Sequence, residues 1–148
     1  MTQNIRIVSW NCHQLSTVRK LAVLHALDLL QIDILCLQEA NGATLRHPDY
    51  LSIQPHPDLL ILIKHTLSFS ILQHVTDHEC IVSALRLKDI CLVFCYLRNG
   101  KHLRGMQRLL DLLTTLHDSY PKIFAIGDMN THDNSAGRAL DKGLGFRV

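Results

Sequence analysis

The segment at residues 123–133 constrains the fold of this chain most strongly, because an apolar run there stops at a glycine and is followed by a polar cluster. The run Ile123 to Ile126 is short and rich in β-branched and aromatic residues, as is typical of a buried strand. Gly127 permits a turn or a close backbone approach where the run stops. An ionised carboxylate at Asp128 is costly unless something pairs with it. The sequence therefore predicts a strand that ends in a functional site.

Two other strand-like runs end in the same way. Ile5 to Trp10 is followed by Asn11, and Ile34 to Gln38 is followed by Glu39. A Gly-Asp pair followed by Asn is also ordinary turn chemistry, since Asx side chains bond their own backbone. Three strand ends that carry Asn, Glu and Asp-x-Asn favour instead one shared site, at which the oxygen atoms of these side chains could bind a metal ion.

Length and composition limit the classes of protein to which this chain can belong. The 148 residues fit a single domain, 1–148, and 47% apolar with 19% charged residues indicates a globular chain. The net charge of +2 is too small to indicate nucleic-acid binding by itself. No run approaches the roughly 18 apolar residues of a membrane span, and residues 1–15 do not resemble a signal peptide. We therefore expect an intracellular protein, nuclear or cytoplasmic and not secreted.

The cysteines and histidines are not arranged as a strong metal or disulfide motif. The five cysteines, at positions 12, 36, 80, 91 and 95, are odd in number and lie mostly in apolar runs, which predicts reduced, buried thiols. His74 and His78 lie close to Cys80 and could imitate a metal cluster, but their spacing is loose and favours coincidence.

The remaining patterns predict a mixed α/β fold. Helices are predicted over Thr17 to Gln31 and Leu103 to His117. Further strands are predicted at Leu59 to Ile63, Phe69 to Leu72, Cys80 to Leu87 and Ile90 to Tyr96, with a hairpin at Lys88-Asp89. Residues 41–58, which contain glycine and three prolines, are predicted to be a loop.

Four short motifs, in this order, carry a resemblance to a known family: Trp10-Asn11, Leu37-Gln38-Glu39-Ala40, Phe94-Cys95-Tyr96 and Gly127-Asp128-Met129-Asn130. The chain resembles the endonuclease/exonuclease/phosphatase superfamily, which has the deoxyribonuclease-I-like fold, and most of all the apurinic-type endonuclease domain of non-LTR retrotransposons. The resemblance implies a mixed β-sandwich flanked by helices in four layers, with a phosphodiesterase site that uses Mg²⁺ or Mn²⁺.

The resemblance also assigns a role to each motif residue. Glu39 would be the principal metal ligand with Asn11 beside it, and Asp128 would orient or activate the attacking water. Asn130 would hold a phosphate oxygen, and Tyr96 would donate to the phosphate or its leaving oxygen. The structural alternatives are a carboxylate at an exposed strand end for Glu39 and an ordinary half-buried strand tyrosine for Tyr96.

A basic segment follows Tyr96. Arg98, Lys101, Arg104 and Arg108 lie close together in sequence, and the last three recur at helical spacing. One basic edge could therefore meet a DNA backbone beside the site. A charge run on a helix is also often simply solvated.

The chain departs from the family pattern in three places, one of which is the short region between Glu39 and Tyr96. Cys12-His13-Gln14 replaces the usual small or glycine residue after Trp-Asn. Superfamily members are longer and carry a further Asp and a Ser-Asp-His-type motif near their C-terminus, whereas this sequence ends at Gly143 to Val148. No residue can be assigned to that Asp-His pair, since His132 and Asp133 match the turn after Asp128. The resemblance thus implies a C-terminally incomplete domain that lacks the last strands.

Three functions remain open. The first is divalent-metal-dependent phosphodiester hydrolysis by a retroelement-type DNA endonuclease domain with weak or lost activity. The second is a non-catalytic remnant that binds nucleic acid or a partner, because losing a group that acts only on the transition state lowers turnover without necessarily lowering binding. The third is a phosphoinositide or sphingolipid phosphatase. The sequence indicates no particular protein partner.

Overall fold

A computed structural model describes residues 4–98 and 102–130, and the chain divides into two compact units, Met1–Leu67 and Ser68–Val148. The elements are β1 (Ile7–Asn11), α1 (Thr17–Leu30), β2 (Ile34–Gln38), β3 (Tyr50–His56), β4 (Leu59–Lys64), β5 (Ser70–Thr76), β6 (Cys80–Leu87), β7 (Ile90–Leu97), α2 (His102–His117) and β8 (Lys122–Asp128). The prediction of one domain over residues 1–148 stays a prediction.

The first unit contains a four-stranded mixed sheet in the order β1-β2-β4-β3. Strands β1 and β2 are parallel, and the other two pairings are antiparallel. All five residues of β2 are buried, which explains why this strand reads as a continuous apolar run. Helix α1 begins after Ser16, whose hydroxyl accepts from the Arg19 amide, and it buries Val23 and Leu27 in the core of the unit.

The second unit repeats this design with the order β5-β6-β7-β8. Here β5, β6 and β7 are antiparallel neighbours, while β7 and β8 are parallel. The predicted hairpin is confirmed, with Lys88 in the left-handed conformation at φ +57°. Met106, Leu109 and Leu113 form the apolar stripe of α2 and pack in the core of the unit. The predicted mixed α/β class is confirmed, since residues 4–98 and 102–130 form two mixed sheets and two helices.

The prediction of a loop over residues 41–58 is wrong, because strand β3 (Tyr50–His56) lies within it. Among the strands that the structure describes, β3 pairs only with β4, and the pairing is irregular between Ile53 and His56. Pro55 lies at this irregularity, where a residue without an amide hydrogen is tolerated at a sheet edge. Strand β5 is likewise longer than predicted, because its polar second half obscures the strand pattern.

Neither helix within the described ranges has the length and apolar character that a membrane crossing requires. The five cysteines are all reduced and buried, as predicted. Burial raises the pKa of the Cys36 and Cys80 thiols to about 12 and also raises the pKa of Cys91. These thiols therefore stay protonated at neutral pH.

We expect the folded protein to react slowly with Ellman's reagent at pH 8, because the thiolate is the reactive form and these thiols are both buried and protonated. All five should react rapidly in concentrated urea. Rapid reaction of a thiol in the native protein would show that its environment is more open than the structure indicates.

Among the glycines that the structure describes, Gly127 lies closest to a neighbouring strand. Its φ is +150°, and a Cβ atom built there would lie 1.9 Å from the carbonyl oxygen of Cys95 on the neighbouring strand. Gly42 also has a positive φ, +76°, but a Cβ atom there meets nothing within 4 Å. A comparison of alanine substitutions at these two positions therefore separates the cost of a positive φ from the cost of steric overlap.

We expect Gly127→Ala to lower the free energy of unfolding by about 3 kcal/mol or more, because β7 and β8 must separate to admit the methyl group. The matched variant Gly42→Ala should cost only about 1–2 kcal/mol, the strain of the left-handed conformation. Urea unfolding followed by circular dichroism measures both. Equal effects would mean that the close approach at Cys95 is not a constraint.

Candidate active site

Asn11 and Glu39 lie at the carboxyl ends of neighbouring parallel strands. Asn11 is paired in register with Gln38, and the next backbone amide, that of Cys12, donates to the Gln38 carbonyl at 3.0 Å. Glu39 follows directly, with 34% of its side chain exposed. The structure thus brings the two predicted metal ligands to the same end of the first sheet, as the sequence predicted.

The loop after β1 is held against Glu39 in a strained backbone conformation. His13, Gln14 and Glu39 all have positive φ, at +45°, +76° and +57°. The Gln14 amide donates to the Glu39 carbonyl at 2.8 Å, and the His13 amide donates to Asn11 Oδ1 at 3.1 Å. Each such residue costs about 1–3 kcal/mol and persists only where its surroundings enforce it.

The side chain of Arg19 in helix α1 holds the loop after β1 in this conformation. Its Nη1 donates to three consecutive backbone carbonyls, those of Cys12, His13 and Gln14, at 2.6, 2.5 and 2.9 Å. The Cys12 thiol also donates to the Gln38 carbonyl at 3.2 Å, and burial raises its pKa. Arg19 could not be identified from the sequence, since an arginine in the first turns of a helix gives no signal of such contacts.

His13 contacts the predicted metal ligand directly. Its Nδ1 lies 3.0 Å from Glu39 Oε2, and 77% of the imidazole side chain is exposed. The Cys12-His13-Gln14 segment is unusual for the family, but no role for His13 was predicted from it. The departure from the family pattern at this position was the only available signal.

Tyr96, Asp128 and Asn130 form a second group, in the second unit. Tyr96 and Asp128 are register partners on the parallel strands β7 and β8, and Tyr96 is 7% exposed. The Asn130 amide donates to Asp128 Oδ1 at 3.0 Å, and its side-chain amide donates to the Leu97 carbonyl. Asn130 has a φ of +46°, so this turn is also held in a left-handed conformation. The structure thus brings these three residues together within the second unit, and a single site shared with Asn11 and Glu39 stays a prediction.

The predicted basic edge is partly neutralised by acidic residues of the turn between β5 and β6. Arg108 forms an ion pair with Asp77, and Arg104 Nη1 lies 3.8 Å from Glu79 Oε1. The Arg98 amide donates to the Glu79 carbonyl at 3.2 Å. Lys101 lies outside the described residues, as do His132, Asp133 and the segment where the Asp-His pair was sought. A nucleic-acid contact through these arginines stays a prediction.

Metal binding also stays a prediction. Residues 4–98 and 102–130 contain no group of three or more His, Cys, Asp or Glu side chains that could hold an ion. His74 instead contacts the hydroxyl of Ser83, with Nδ1 2.9 Å from Oγ. A carboxylate and an amide oxygen are suitable ligands for Mg²⁺, which keeps several of its waters. Asn11 and Glu39 fit that donor set without a third protein ligand.

The sequence profile of the Endonuclease/Exonuclease/phosphatase family matches residues 8–147, so the chain belongs to this family. The resemblance seen in the four motifs is thereby confirmed. A search of curated protein sequences gives no significant match.

Solved structures agree on the fold. Humanized D. rerio TDP2 is similar with a TM-score of 0.65 at 18% identity, over 91% of this chain and 70% of that chain. The endonuclease domain of TRAS1, a telomere-specific non-LTR retrotransposon, gives 0.62 at 13% identity, over 88% and 61%. An AP endonuclease from Archaeoglobus fulgidus gives 0.59 at 16% identity, over 97% and 66%. This chain therefore spans between 61% and 70% of the length of these three structures.

We expect Arg19→Gln to accelerate amide hydrogen exchange at residues 12–14, because the three carbonyl contacts hold a strained loop. The neighbouring variant Lys20→Gln should leave this exchange unchanged, since no such contact depends on it. Hydrogen exchange with mass spectrometry on peptides covering residues 10–16 measures the difference. Identical protection in the two variants would contradict the role of Arg19.

Proposed function

We propose that this chain is a divalent-metal-dependent phosphodiester hydrolase that acts on DNA, a retroelement-type endonuclease domain. The observation that carries the proposal is the placement of oxygen-bearing residues at the carboxyl ends of two parallel strand pairs, Asn11 with Glu39 and Tyr96 with Asp128. Family membership supports hydrolytic chemistry. The similarity to the TRAS1 endonuclease domain, and to a D. rerio TDP2 structure that contains a single-strand DNA product, supports DNA as the substrate. We place this activity inside the cell, in the nucleus or the cytoplasm.

Glu39 and Asn11 would hold the cation, Mg²⁺ or Mn²⁺. A phosphodiester is already anionic, and a bound divalent cation supplies neutralisation of the charge that develops during hydrolysis. Glu39 is suited to this task because its side chain is one-third exposed and its backbone is fixed by hydrogen bonds at both the amide and the carbonyl. The amide oxygen of Asn11 adds a neutral ligand beside it.

Asp128, Asn130 and Tyr96 would act on water and phosphate. The hydrogen bond from the Asn130 amide fixes the orientation of the Asp128 carboxylate, which would accept a proton from the attacking water. The Asn130 side chain and the Tyr96 hydroxyl would donate to phosphoryl oxygens without adding negative charge. Tyr96 is nearly buried, so its ring is positioned before substrate binds.

The alternative is a non-catalytic protein that binds nucleic acid or a partner. It rests on the basic segment that contains Arg98, Arg104 and Arg108, which could contact a nucleic-acid backbone. The ion pairs to Asp77 and Glu79 weaken it, because they reduce the positive charge that a DNA backbone would meet. A phosphoinositide or sphingolipid phosphatase is a third candidate, since the family also includes phosphatases.

We expect the purified protein to nick supercoiled plasmid or cleave an abasic-site duplex with Mg²⁺ or Mn²⁺, and EDTA to abolish cleavage. Glu39→Gln and Asp128→Asn should each lower the rate by about 100-fold or more, because one removes the anionic metal ligand and the other the proton acceptor. Asp118→Asn, which changes an exposed carboxylate, is the matched control and should retain full activity.

Three outcomes would contradict the proposal. Cleavage that survives both substitutions would come from a contaminating nuclease. DNA binding without cleavage at any protein concentration would support the non-catalytic alternative, and Arg104→Gln with Arg108→Gln should then reduce the salt dependence of binding. Hydrolysis of phosphoinositide or sphingomyelin alone would support the phosphatase.

A further inference from the structure

We propose that His13 supplies a nitrogen ligand to the cation held by Glu39, and that the site therefore prefers Mn²⁺ or another transition-metal ion to Mg²⁺. The inference rests on the proposed function, since it assumes that Glu39 binds a cation. It adds a ligand and a metal preference to that site. All the residues that carry it lie in the first unit.

The distance between the two side chains fits two ligands of one ion. His13 Nδ1 and Glu39 Oε2 are 3.0 Å apart. Two adjacent ligand atoms, each about 2.1 Å from an octahedral cation, are separated by about 3 Å. The separation in the structure is thus the one that two adjacent ligands of a single cation require.

The backbone holds His13 in this position. Its φ of +45° is unfavourable for a residue with a side chain, and the Arg19 guanidinium donates to its carbonyl at 2.5 Å. Its own amide donates to Asn11 Oδ1, so a single loop contacts both predicted oxygen ligands. The imidazole is 77% exposed, which distinguishes it from a histidine that simply fills a core. Strained residues held by their surroundings cluster at ligand sites.

The chemistry of the donor set then predicts the metal. Mg²⁺ favours oxygen ligands and gives up its water reluctantly, whereas imidazole suits first-row transition metals. A site with one carboxylate, one amide oxygen and one imidazole nitrogen therefore gains affinity for Mn²⁺ relative to a site with oxygen ligands alone.

A competing interpretation predicts the opposite change in metal affinity when His13 is removed. If His13 only pairs with the Glu39 carboxylate, the imidazole occupies the place of the cation, and its removal should tighten metal binding. If His13 is a ligand, its removal weakens Mn²⁺ binding and changes Mg²⁺ binding little. Metal affinity therefore separates the two interpretations without any activity measurement.

The test compares His13→Asn with His25→Asn, which changes an exposed histidine of helix α1. Asparagine tolerates the left-handed conformation at position 13, so the loop is expected to keep its fold, and circular dichroism checks this. Mn²⁺ affinity is measured by the EPR signal of free Mn²⁺, and Mg²⁺ affinity by competition. Electron spin echo modulation detects a nitrogen bound to Mn²⁺.

We expect the unmodified protein and His25→Asn to show nitrogen modulation, and His13→Asn to lose it. The ratio of Mn²⁺ to Mg²⁺ affinity should fall by about 10-fold in His13→Asn. Persistent modulation in His13→Asn, or a Mn²⁺ affinity that is unchanged or tighter, would overturn the inference. If Glu39→Gln abolishes binding of both ions and DNA cleavage while His13→Asn behaves as unmodified protein, the inference fails and the proposed function stands. If the unmodified protein binds neither ion, both fail.

Discussion

Parallel pairing of two strand pairs is the constraint on which the rest of the candidate site depends. In each unit the two parallel strands end at the same edge of the sheet, and the register places Asn11 opposite Gln38 and Tyr96 opposite Asp128. Side chains in a strand alternate between faces, so a shift of one residue in either pairing would turn the polar residue to the other face. The apolar residues of β2 and β7 oppose such a shift because both strands are buried along nearly their whole length.

The polar residues that follow these strands have backbone conformations that residues other than glycine rarely adopt. His13, Gln14, Glu39 and Asn130 all have positive φ, and each is held by hydrogen bonds to neighbouring strand ends or loops. In the first unit much of that support comes from one side chain, Arg19, while in the second it comes from the hydrogen bonds of Asn130 to the Asp128 carboxylate and the Leu97 carbonyl. Stability gained in the sheets offsets this local strain.

Much of the fold could be predicted because burial and secondary structure reinforce each other in the central strands. Strands β2, β4, β6 and β7 are apolar on both faces, and their bounds were predicted to within one residue. Strand β3 was missed because an edge strand can be polar and can contain Pro55.

The candidate site could be predicted only where its residues follow a buried strand. Strand ends identify Glu39 and Asp128, but the contact of His13 with Glu39 and the three contacts of Arg19 depend on loop geometry that has no periodic pattern. The acidic partners of Arg104 and Arg108 were missed for the same reason, since they belong to a different element of the chain.

The two groups of candidate residues therefore differ in how easily divergence can disturb them. Tyr96 and Asp128 are positioned by register within a sheet, and moving them requires breaking many backbone hydrogen bonds together with a buried core. Glu39 is anchored by its strand, but its surroundings depend on a three-residue loop that Arg19 holds in place from an exposed helix position. The register of a sheet tolerates surface substitutions. A strained loop, in contrast, loses its conformation when the one arginine that holds it is replaced. Divergence of this chain should accordingly disturb the geometry at Asn11, His13 and Glu39 first, while the fold and the arrangement of Tyr96 with Asp128 persist.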